Sequence, residues 1–106
     1  MEQANLVFIN CFQVPVGRDE AFIELWNRID AYMVHKPGYL WNRLHKSIDD
    51  AAANRFVNVV GWESKELFDA AHDEEYRAMR QGPEWQEFGS TPALYTIHRE
   101  AMAGGA

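Results

Sequence analysis

The chain reads as an α+β fold, an antiparallel sheet with both helices on one face. Three features lead there. Apolar β-formers gather in short runs bounded by Gly, Pro and Asp, and two longer stretches repeat apolar residues at intervals of three and four. The two kinds of segment follow one another as strand, helix, strand, strand, helix, strand. At 106 residues there is room for one domain, expected to span residues 1–106 with its core at about 5–100 and a frayed tail at 101–106.

Leu6 to Val14 is the first strand, rich in Val7, Phe8, Ile9, Phe12 and Val14 and stopped by Pro15-Val16-Gly17. From Arg18 to His35, Phe22, Leu25, Trp26, Ile29, Tyr32 and Met33 make one apolar stripe of a helix. Asp19 and Glu20 suit its N-terminal dipole, and Lys36-Pro37-Gly38 ends it. Tyr39 to Ser47 is the second strand and Arg55 to Trp62 the third. Ser64 caps a second helix with Leu67, Phe68, Ala71, His72, Tyr76 and Met79 near one side, broken by Gly82-Pro83. Trp85 to Phe88 is too short to assign, and Pro92 opens a last strand over Ala93 to Arg99. This order is the ferredoxin-like βαββαβ arrangement, in which the first and third strands form the central pair. Val7, Ile9, Val57 and Val59 point away from the face carrying Phe8, Phe12, Phe56 and Val60. One layer of helices cannot cover both faces, so a second subunit is expected on the bare one, making a homodimer.

Composition removes several classes of function. Sixteen acidic against ten basic residues leave a charge of −6, with no basic stripe, so nucleic acid is not an expected partner. No apolar run approaches the length of a membrane span, and residues 1–5 show no basic leader. A single Cys11 permits no internal disulfide, and no metal-ligand spacing appears; a cytoplasmic setting is expected.

The alternation of side chains puts Asn10 between Phe8 and Phe12, and Asn58 between Phe56 and Val60 with Trp62 beyond. An Asn in a strand centre is disfavoured, and an unpaired buried amide costs about 1–3 kcal/mol. Either backbone or the other Asn satisfies each amide, or the pair and Trp62 serve a ligand. Residues 58 and 62 lie roughly 13 Å apart along a strand, a span suited to a flat polycyclic molecule. His72, on the inner side of the second helix, either packs or ligates haem; Trp26 and Tyr32 fit a packing stripe; Asp73-Glu74-Glu75 reads as a solvated turn.

Phe8-Ile9-Asn10-Cys11-Phe12, Lys36-Pro37-Gly38-Tyr39 and Phe56-Val57-Asn58-Val59-Val60-Gly61-Trp62-Glu63-Ser64, followed by Phe68, resemble the antibiotic biosynthesis monooxygenase family over most of the chain. The resemblance implies a dimeric α+β barrel and oxygenation of a hydroxylated aromatic, anthrone- or quinol-like substrate by O2, with no flavin, haem or metal. Asn58 and Trp62 match the family's active-site pair, and Asn10 a first-strand Asn of some members. His45 falls where one member type has a histidine and is expected as base or proton relay. A tyrosine of that type is Phe68 here, and Arg80 is the one arginine to set against its arginine. Phe8, Phe12, Phe56 and Phe68 are expected as apolar walls, with His72 beside them. Asn and Trp N–H groups aimed at a substrate oxygen would stabilise developing negative charge. The alternatives are a haem-binding or haem-degrading protein using Asn10 and His72, and a non-catalytic ligand-binding dimer.

Overall fold

The computed structural model describes residues 4–105. Met1–Gln3 and Ala106, on which part of the reading of the two termini rests, lie outside the described residues. The elements are β1 (Leu6–Gln13), α1 (Asp19–Met33), β2 (Tyr39–Lys46), β3 (Phe56–Trp62), α2 (Lys65–Ala71), α3 (Glu74–Arg80), a 3-10 turn at Pro83–Trp85, and β4 (Gly89–Thr96). The sheet runs β2-β3-β1-β4 and every pairing is antiparallel, so the fold is α+β and ferredoxin-like with β1 and β3 at its centre.

The second helix is not continuous. Ser64 Oγ accepts from the Leu67 N–H and starts α2, as expected, but the chain leaves helical geometry at His72. Asp73 then caps α3, its Oδ1 accepting from the Tyr76 N–H at 2.9 Å. The other carboxylate oxygen takes Tyr32 Oη–H at 2.6 Å and Lys36 Nζ at 2.8 Å, which ties the break to the end of α1. Asp73 is therefore a structural cap and tether, not a solvated turn residue.

The last strand also differs from its expected span. It begins at Gly89, places Pro92 opposite Asn10, and ends at Thr96. An edge strand tolerates Pro because one side of its backbone makes no ladder. Between Tyr39 and Trp41 a bulge shifts the register of β2 on β3. Tyr39 pairs with Trp62, whereas Trp41, Arg43 and His45 pair with Gly61, Val59 and Val57 on the opposite face. Gly61 is needed there: a Cβ would lie 2.5 Å from the Trp41 ring.

All helical packing falls on the face of Phe8, Asn10 and Phe12. Toward one end, Phe12, Val14, Phe22, Leu25, Phe56, Trp85 and Phe88 form a closed core. Toward the other, Met33, Val60, Trp62 and Ala71 are packed by Phe8, Tyr39, Phe68 and Tyr76. On the outer face Val7, Ile9, Val57 and Val59 are only half-buried and Tyr95 is exposed. Among the described residues no helix is long and apolar enough to cross a membrane.

Candidate active site

A pocket with a cavity of about 50 Å³, partly open to solvent, lies between the inner face of the sheet and the helices. So small a cavity makes it a narrow slot. Phe8, Phe12 and Val60 form its floor; Trp26, Ile29 and Met33 of α1, Tyr76 and Arg80 of α3, and Trp85 form its walls. Besides Tyr76 and Arg80, its polar groups are Asn10, Asn58, Trp62, Asp30, Tyr39 and His72.

Asn10 and Asn58 sit directly opposite each other on β1 and β3. Their Oδ1 atoms and Trp62 Nε1 are buried without a hydrogen-bond partner. Of the two readings of the Asn pair, the one in which backbone or the other Asn satisfies each amide is unmet for those oxygens. The convergence differs from a purely N–H one: the orphan atoms are two acceptors and one donor. A half-turn of either amide exchanges its oxygen for N–H at little steric cost. Trp62 itself is 1% exposed, held edge-on by Tyr39 and Phe68 at 5.4 and 5.6 Å.

His72 is fixed by its neighbours. Its Nδ1 lies 2.7 Å from the Phe68 carbonyl oxygen, which can only accept, so Nδ1 carries the proton and neutral His72 has its lone pair on Nε2. The ring meets Phe68 at 4.0 Å and Tyr76 at 4.7 Å, with Phe8 and Trp62 both at 5.8 Å. Burial holds the imidazole below its usual pKa, aided by nearby Arg80 and opposed by the Phe68 carbonyl, Asp69 and Asp73.

On the β2 side Asp30 Oδ1 accepts from Tyr39 Oη–H at 3.0 Å and from Asn42 Nδ2 at 2.8 Å, and Asn42 also meets the Tyr39 hydroxyl. Burial is the main reason the Tyr39 phenol is pushed above its usual pKa; Asp30 adds to this and Asn42 opposes it. Tyr39 therefore acts as a donor at neutral pH.

Of the residues singled out from sequence, Phe8, Asn10, Phe12, Asn58, Trp62 and His72 line the slot. His45 does not: it is exposed on the opposite face, its Nδ1 3.2 Å from the Val57 carbonyl oxygen. The bulge in β2 is the cause, since one extra residue exchanges the faces of everything after it. Phe56 and Phe68 lie behind the walls. Phe56 stacks on Phe22 at 4.8 Å, and Phe68 backs Phe8 at 5.1 Å. Trp26 lines the slot and is not only a packing residue. Asp30 and Tyr39 were not anticipated. Asp30 falls four residues after Trp26 and three before Met33, inside the apolar stripe of α1, and a carboxylate in that register is the signal that marks it.

Among the described residues no cluster of three His, Cys, Asp or Glu is arranged to hold a metal ion. A haem iron in this pocket would find His72 Nε2 as its imidazole ligand.

The sequence matches the antibiotic biosynthesis monooxygenase family over residues 6–89. No curated protein matches. Among solved structures, a candidate monooxygenase of Shewanella loihica PV-4 is similar at 35% identity and a TM-score of 0.79, over 94% of this chain and 100% of that one. SnoaB, a cofactor-independent oxygenase of Streptomyces nogalater, is similar at 21% identity and a TM-score of 0.75, over 90% of this chain and 94% of its own. A variant of MhuD with two manganese protoporphyrins in each active site is similar at 21% identity and a TM-score of 0.71, over 92% and 99%. At that identity the last two share the fold alone. A strand-borne Asn pair, an indole N–H and the match over most of the chain lead to one statement: this chain belongs to the antibiotic biosynthesis monooxygenase family.

Proposed function

We propose that this protein is a cofactor-independent monooxygenase that oxidises a planar hydroxylated aromatic substrate with O2 in the slot between sheet and helices. The observation that carries this reading is the set of three orphan polar atoms, Asn10 Oδ1, Asn58 Oδ1 and Trp62 Nε1, in an aromatic slot. Such atoms are costly to bury unless a ligand completes them. A substrate hydroxyl donates to an amide oxygen, and a substrate carbonyl oxygen accepts from the indole. A flat ring suits a slot this narrow.

His72 is the base in this reading, replacing His45. Nε2 takes the substrate proton while Nδ1–H stays on the Phe68 carbonyl. Either amide then turns its N–H toward the anion, and Trp62 N–H stabilises it as an oxyanion-hole donor does. The electron-rich enolate or phenolate gives an electron to O2, and the two radicals combine at carbon. For an anthrone-type CH2 the peroxide collapses to C=O and water, so one oxygen atom is retained and no outside reductant is consumed. The apolar walls exclude bulk water and strengthen each hydrogen bond.

The uncovered outer face, with Val7, Ile9, Val57 and Val59 half-buried and Tyr95 exposed, is where a second copy would dock to give the dimer. Oxygen uptake with anthrone and quinol probes, in buffer free of metal and flavin, tests the reaction. Uptake by wild type that falls in Asn58→Ala and Trp62→Phe supports it, and equal rates in all three contradict it. A Soret band shifted by stoichiometric protein would instead favour the haem reading.

A further inference from the structure

Arg80 is a half-buried guanidinium in a chain with surplus acid, and no acid meets it. Its Nη1 donates to Tyr76 Oη at 3.2 Å and its Nη2 to Ser90 Oγ at 3.3 Å, both neutral, while Nε is buried without any partner. The charge lies over the Trp85 ring at 4.5 Å and near Phe12 at 5.7 Å, inside the slot. Other arginines find carboxylates: Arg55 has Asp19 at 2.8 Å, Arg18 has Glu87 at 2.7 Å, and Arg28 has Glu24 at 2.9 Å. Among the described residues none lies within ion-pair distance of Arg80.

A sheltered positive charge held only by hydroxyls and ring faces is incompletely compensated, and its Nε–H remains free to form one arm of a planar fork. A carboxylate matches that fork in shape and sign. The slot's own acid does not compete for the same corner. Asp30 is anchored beside Asn42 on β2, which pairs with Val60, whereas Arg80 is anchored at Ser90 on β4, which pairs with Phe12. These anchors are three strand spacings apart, roughly 14 Å across the sheet. The Asn10–Asn58 pair lies one side-chain rung from Phe12 on the same face, roughly 7 Å along the strand.

We propose that Arg80 is the anion subsite of this slot and that the substrate is a planar aromatic acid, its carboxylate on Arg80 and its hydroxyl within reach of the Asn pair. This rests on reading the slot as the substrate site. The carboxylate fixes the ring's orientation, so that one defined carbon faces O2.

The test is binding, measured by quenching of tryptophan fluorescence near neutral pH with three probes: 1-hydroxy-2-naphthoate, its carboxamide, and 1-naphthol. Wild type should bind the naphthoate roughly tenfold tighter than the carboxamide. Arg80→Gln should bring the two within about twofold of each other by weakening only the naphthoate, and Arg80→Lys should keep part of the preference. Because the preference is read in wild type, the test stands even if a variant misfolds. Carboxamide and naphthol bound as tightly as the naphthoate would overturn the assignment of Arg80 and leave the slot as substrate site. Failure of all three to bind would overturn both. A clear naphthoate preference without oxygen uptake from any substrate would sustain the anion subsite and contradict oxygenation.

Discussion

The two ends of the sheet–helix interface are built from the same kinds of side chain and do different things. At the Phe22 end, rings close on rings: Phe22 meets Phe12 and Phe56 at 4.8 Å and Phe88 at 5.6 Å, and it is 0% exposed. At the Trp62 end the aromatic side chains stand around a slot, and the buried polar atoms Asn10 Oδ1, Asn58 Oδ1 and Trp62 Nε1 go without partners. Aromatic content alone therefore does not mark a site. Unfinished hydrogen bonding does, because a fold selected only for stability would complete or remove those groups.

The sharpest way to break this contrast is to exchange the consequences of mutation. Phe22→Ala should lower stability by about 3–5 kcal/mol in denaturant unfolding, with any lost activity following the loss of fold. At the other end His72→Gln should leave the fold intact and cut oxygen uptake by about 10²–10⁴-fold, the usual worth of a positioned base. Trp62→Phe keeps an aromatic ring but removes the N–H donor and part of the buried indole, so uptake should fall by about 10²–10³-fold at a stability cost of about 1–3 kcal/mol, smaller than at Phe22. Similar stability losses at both ends would erase the distinction.

A pH experiment sharpens the same comparison with smaller effects. His72 has its pKa lowered in the folded protein by burial, so the unfolded chain binds the extra proton first as pH falls. Stability from this group is complete above about pH 6.5, the unfolded imidazole value, and declines below it until the folded imidazole also protonates. His72→Gln should remove that part of the acid sensitivity, and the acid limb of wild-type activity should lie below the ordinary imidazole value. Asp73 has the smallest predicted effect. Its carboxylate is held below the usual range by Lys36, then Tyr32 and the Tyr76 N–H. Its contribution is present above the ordinary carboxylate pKa and disappears as pH falls through the folded value. Asp73→Asn keeps a capping side chain and should be slightly less stable near neutrality, the two proteins converging in strong acid.

How legible the molecule was follows from the range of the interactions involved. Strand runs such as Phe56 to Trp62, and the place of Asn10 and Asn58 each among apolar side chains on one face, are set by alternation, which one segment displays by itself, whereas the opposition of the two Asn is a matter of register between strands. The break between α2 and α3 depends on Tyr32 and Lys36 holding Asp73 from about forty residues away, and local spacing carries no trace of that. His45 was carried over from the family resemblance, and the face it takes is likewise set beyond local pattern. A single inserted residue at the β2 bulge reverses the faces of a strand whose composition gives no warning of it. Arg80 was visible as a residue but not as an unpaired charge, since pairing is settled only when β4 and the 3-10 turn close around it.

The most direct measurement is the unfolding free energy of Asn58→Leu set beside its oxygen uptake. Leucine nearly matches the shape of asparagine and removes an amide whose oxygen has no partner. If that amide exists for a ligand, stability should rise by about 1 kcal/mol and uptake should fall by about 10²-fold or more. A less stable protein with undiminished uptake would mean that the amide belongs to the fold, and the assignment of the slot as an oxygenase site would fail.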